Sequence, residues 1–74
     1  MENFEIVNMG VEYGVQPLEN GTFKVSRKGS GIGVVYPQTG TLSIEWKGLE
    51  GIDDRMAGEL GELISQELLD RSAL

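Results

Sequence analysis

The chain contains no cysteine and no histidine. The first absence excludes disulfides and thiolate metal sites. The second removes the commonest zinc ligand and the side chain best suited to move protons near neutral pH. No serine stands in a nucleophile-elbow context, and nothing is present to activate one. No apolar run approaches the roughly 20 residues that span a bilayer. The opening MENFE has neither a basic n-region nor an apolar h-region, so no secretory leader is expected. Lack of cysteine also suits a reducing compartment, and a cytoplasmic location is expected. Proline occurs only at positions 17 and 37, where it offers edge strands some protection from pairing.

At 74 residues the chain has room for a single domain, taken as 1–74. A domain this small buries only about 60% of its unfolded surface, so its stability margin is thin. With disulfides and the usual metals excluded, oligomerisation or a partner is the remaining reinforcement.

The net charge of −6 is unevenly spread. Residues 1–21 carry four acids and no base, residues 22–47 carry four bases against one acid, and residues 48–74 carry seven acids against two bases. An acidic protein is repelled at long range by nucleic-acid phosphates and anionic lipid, so direct binding to either is not expected. Most of the acidity reads as solubility.

The spacing predicts strands at 22–27 (TFKVSR) and 41–47 (TLSIEWK). Phe23 and Val25 share one face of the first. Leu42, Ile44 and Trp46 share one face of the second. Strict alternation of this kind marks a sheet with one buried and one wet face. Residues 31–36 (GIGVVY) offer Ile32, Val34 and Tyr36 on one face, and Pro37 is expected to stop that strand. Asn20-Gly21 is a strong signal for a type I′ hairpin. Lys28-Gly29-Ser30 and Pro37-Gln38-Thr39-Gly40 read as looser turns. Residues 4–9 (FEIVNM) read as a strand with Phe4 and Ile6 inward, although a short helix also fits. Nine of the eleven glycines, from Gly10 to Gly51, fall at or near the ends of short apolar runs and read as turn residues.

Residues 53–71 read as one acidic amphipathic helix, with Asp53 as N-cap and Asp54 against the positive helix end. Ile52, Met56, Leu60, Leu63, Ile64 and Leu68 form one broad apolar stripe. That stripe is expected to cover the sheet face carrying Phe23, Val25, Leu42, Ile44 and Trp46. The fold class is therefore α+β: a four- to five-stranded antiparallel meander over about 4–47, with one C-terminal helix on one face.

On the far side of the helix the same wheel places Gly58, Gly61, Ser65 and Leu69. Two mid-helix glycines cost about 1 kcal/mol each relative to alanine, and a solvent-exposed face gives no reason for that loss. Small residues admit another backbone, so these four read as a contact surface for a protein partner or a second copy. Glu59, Glu62, Glu67 and Asp70 recur at helical spacing. They read as a solvated face rather than as a metal or acid–base site, and no cofactor is expected. The run from Arg27 to Gly33 resembles a glycine-rich anion cradle, but an apolar β-like run follows where a phosphate loop needs a helix. It reads as a hairpin tip, leaving Arg27 and Lys28 as a secondary contact for an acidic partner.

The meander-then-helix layout is shared by many unrelated small proteins, and no family motif can be matched residue by residue. Two functions are carried forward. The first is a small non-enzymatic regulatory or accessory protein acting by protein–protein contact, as a homodimer. The alternative is an acidic inhibitor, of the phage-encoded kind, that mimics nucleic acid to block a DNA- or RNA-binding protein.

Overall fold

The computed structural model describes residues 2–40 and 44–72. Five strands precede one helix: β1 (Phe4–Asn8), β2 (Val11–Pro17), β3 (Phe23–Arg27), β4 (Ser30–Thr39), β5 (Ile44–Leu49) and α1 (Asp54–Ser72). The strands pair in sequence order, each antiparallel to the next. The fold is α+β, a five-stranded antiparallel meander with the helix packed on one face. Residues 4–8 are a strand, with Phe4 and Ile6 buried.

Alternation decides what each face carries. Phe4, Ile6, Tyr13, Val15, Phe23, Val25 and Val35 are buried on the helix side, where they meet Ile52, Ala57, Leu60 and Ile64. The helix reaches both edge strands, β1 and β5, so the sheet curls around it. At full burial each large apolar side chain contributes about 1.5–3 kcal/mol, and this layer dominates the stability.

The helix start follows the sequence closely. Asp53 Oδ1 accepts a hydrogen bond from the Met56 N–H at 2.8 Å, and the Asp53 carbonyl accepts from the Ala57 N–H at 2.9 Å. Lys47 Nζ lies 3.7 Å from Asp54 Oδ2 at the same end.

Several expectations are corrected. The β3–β4 register shifts between Val25 and Ser26: Val25 pairs with Gly33 and Ser26 with Gly31, leaving Ile32 as the extra residue of a bulge. The bulge reverses the alternation downstream, so Val35 is the fully buried residue while Val34 and Tyr36 are only half-buried. Pro37 does not end the strand. It pairs with Trp46, and β4 runs on to Thr39. This is tolerated because β3 reaches no further than Val35, so the last residues of β4 have a strand on one side only. The same overhang explains Ile44, which is 57% exposed instead of buried. It shares a face with Trp46 and pairs with Thr39, but it lies at the end of the β4–β5 ladder, beyond the reach of β3. Residues 41–43, including the expected core residue Leu42, lie outside the described residues.

The turns also exchange types. Between β2 and β3, the Gly21 N–H donates to the Leu18 carbonyl at 3.2 Å and the Leu18 N–H donates to the Thr22 carbonyl at 2.8 Å. Gly21 alone has positive φ there. This is a three-residue loop closed by a glycine bulge, not the expected two-residue type I′ turn. Asn20 Oδ1 holds it by accepting from the Thr22 N–H and hydroxyl, at 3.2 and 2.6 Å. The two-residue connections with positive φ at both positions are Met9-Gly10 (52° and 78°) and Lys28-Gly29 (51° and 80°). Gly14, Gly31, Gly33 and Gly48 are not turn residues but stand within strands. Ile52 packs against Gly33 and Gly48, where a Cβ on either would meet it.

Candidate functional site

The four helix residues expected to form one contact surface do not stay together. Gly61 is buried, and a Cβ there would collide with the Trp46 indole. It faces the sheet, which accounts for its small size without any second helix. Trp46 in turn packs on Phe23, with ring centroids 5.7 Å apart and planes tilted by 52°. Gly58 has nothing within 4 Å of its Cβ position, Ser65 is half-buried and Leu69 is 64% exposed. The outward side of the helix is otherwise polar. Gln66 Nε2 donates to Asp70 Oδ1 at 3.0 Å, and Glu59 accepts from Asn8 Nδ2 at 3.2 Å and lies 3.9 Å from Arg55. Leu69 is left as a single exposed apolar side chain, which is ordinary for a surface.

The sheet has a second face that no element of the described residues covers. By register, one row across it runs Glu5, Gly14, Ser26, Gly31, and the next runs Gln16, Lys24, Val34, Leu49. The first row has almost no side-chain volume between Glu5 and β4. The result is a shallow trough: a depression of about 400 Å³ is lined by Glu5, Gly14, Ser26, Lys24 and Gly31 among others. A second depression, toward the hairpin tips, is lined by Glu12, Gly14, Arg27 and Lys28 among others. Arg27 and Lys28 are exposed at the β3–β4 tip, as the sequence places them.

Charge on this face is divided across the strands. Over the first four strands the acids Glu5 and Glu12 stand on β1 and β2, and the bases Lys24 and Lys28 on β3 and at its tip; Arg27 shares the alternation of Phe23 and Val25, and β5 adds one charge of each sign, Glu45 and Lys47. Lys24 lies over the trough, with its Cε 3.5 Å from where a Gly31 Cβ would be. Beyond the trough come apolar groups: exposed Val7 and Leu49, and half-buried Val34 and Tyr36. The sequence-only reading missed this surface because it took Gly14 and Gly31 for turns. Their positions inside alternating runs were the available signal, since glycine within a strand marks a close approach or a bulge.

Among the described residues, no three acidic side chains converge in a way that would hold a metal ion, and no helix is long and apolar enough to cross a membrane. Comparison with protein-family models, curated proteins and solved structures finds no match to this chain.

Proposed function

We propose that this is a small non-enzymatic regulatory or accessory protein, cytoplasmic, that acts by protein–protein contact, either between two copies or on a separate partner. The observation that supports the reading is the uncovered sheet face. It combines a side-chain-poor trough, a division of acid from base and neighbouring apolar groups, and the fold itself uses none of these for its core. Interfaces draw on that mixture, since apolar area gives affinity and charge arrangement gives orientation. The outer side of the helix offers less: two of its acids already have partners, Glu59 in Asn8 and Arg55 and Asp70 in Gln66. That also weighs against the acidic-mimic reading, which needs those carboxylates directed at a basic cleft.

Site-specific photo-crosslinking in cells tests the proposal. A crosslinker placed at Gln16, exposed on the sheet face, should give discrete protein adducts. One placed at Glu62, exposed on the helix, should give few. Absence of discrete adducts from both positions would sink the contact reading, and adducts from Glu62 alone would move the contact to the helix.

A further inference from the structure

We infer that the occupant of the open sheet face is a second copy of the same chain, packed face to face about a two-fold axis running along the strands between β2 and β3. This rests on the protein-contact reading above and names its partner. Charge complementarity under that one symmetry operation selects this occupant. A two-fold axis in the plane of the interface and parallel to the strands lays β1 of one copy over β4 of the other, and β2 over β3. Glu12 of β2 then faces the basic β3 tip, and Glu5 of β1 comes over β4 beside Lys24, twice over, as an isologous contact requires. An in-plane axis perpendicular to the strands would instead lay β1 on β1 and β2 on β2, setting acid against acid.

The register makes the match specific. Glu5 and Gly31 occupy the same row, on β1 and β4. In the dimer each Glu5 descends over the partner's Gly31, where no side chain obstructs it. That is also the place where Lys24 lies across the trough. Gly14 of each copy faces Ser26 of the other, so the two sheets can close without displacing large side chains. Among the described residues neither Glu5 nor Lys24 has an ion-pair partner within its own chain. They stand two strands apart and one row out of step, so their pairing is between copies.

The face sets the strength. Under this axis β1–β4 of one copy lie over β4–β1 of the other and each β5 overhangs, so four strands about 4.8 Å apart and about 20 Å long bury on the order of 800 Å² in total, the size of a weak, transient interface. Association should therefore be concentration-dependent and salt-sensitive, readable by sedimentation between about 10 and 500 µM. Glu5→Lys and Lys24→Glu should each weaken self-association by about 10-fold or more, because each sets like charges together at both symmetry-related contacts. Mixing the two variants should restore a dimer, since each then supplies the charge the other lacks, and the double variant should self-associate again. Circular dichroism melts confirm that these exposed positions leave the fold intact. A wild type that stays monomeric throughout, single variants that associate normally, or a mixture that does not recover would each overturn the inference. A monomer that still gives discrete adducts from Gln16 overturns the dimer and leaves the contact reading standing.

Discussion

Gly61 lies directly against the indole of Trp46, in space that a Cβ at position 61 would have to share with the ring. Glycine at this point of α1 is therefore a packing requirement between helix and β5. Its helical cost of about 1 kcal/mol is offset by letting the backbone meet the largest side chain in the chain.

Two alanine substitutions separate the two helix glycines. Gly61→Ala gains helix propensity but forces Trp46 aside, and overpacking of that kind costs about 1–3 kcal/mol. Its net effect is a loss of stability, accompanied by a shift in tryptophan emission. Gly58→Ala meets nothing within 4 Å and should stabilise by about 0.5–1 kcal/mol. Urea unfolding of the two variants measures both. Equal stabilisation would contradict the packing of Gly61 on Trp46.

Most of the architecture was legible in the sequence, for a physical reason. Phe23, Val25, Phe4 and Ile6 alternate without interruption, and the helix stripe has one period throughout. Where the periodicity broke, the reading failed. One extra residue at Ile32 flips the face of everything after it, and the only local sign in GIGVVY is the pair of glycines on either side of it, which also fits a turn. The helix wheel put Gly61 opposite the core because it was drawn around the large apolar residues. The true core face is centred on Ala57, Leu60, Gly61 and Ile64, where small residues admit the sheet.

The bulge makes its own prediction. Val35→Ala should cost about 1.5–3 kcal/mol, because the side chain is fully buried in the core on the helix side of β4. Val34→Ala, on the open face, should stay within about 0.5 kcal/mol. Thermal or urea melts of the pair read the register directly, and a larger loss at Val34 would mean that the unshifted alternation is right.

Three described turn positions hold non-glycine residues at positive φ: Glu50 at 56° before the helix, and Met9 at 52° and Lys28 at 51° in two-residue hairpin turns. Asparagine visits that region more readily than methionine or lysine. Met9→Asn and Lys28→Asn should each stabilise by about 0.5–1 kcal/mol. Met9 is also 88% exposed, so no packing is lost with it. Chemical denaturation of each single variant checks the effect, and a destabilised pair would contradict the turn geometry.

At the helix start, Asp53→Ala removes the acceptor for the Met56 N–H and should cost about 1 kcal/mol. Asp53→Asn keeps a side-chain oxygen in place and should cost much less. Melting curves for the two variants separate capping from charge. Equal losses would mean that the negative charge at the helix end, not the hydrogen bond, carries the effect.

The acidic-mimic reading and the sheet-face reading part company over Glu59, Glu62 and Asp70. A mimic of nucleic acid binds through those carboxylates, so neutralising them as E59Q, E62Q and D70N together would abolish partner binding and its salt dependence. Contact through the sheet face uses none of them. The triple variant should then keep the Gln16 crosslinks and the concentration-dependent association of the wild type. It should lose little stability, because the Arg55–Glu59 pair is exposed and such pairs are worth about 0–1 kcal/mol. Retained association with unchanged salt sensitivity leaves the charge on the sheet face as its source. Loss of both in a folded triple variant would transfer the function to the helix.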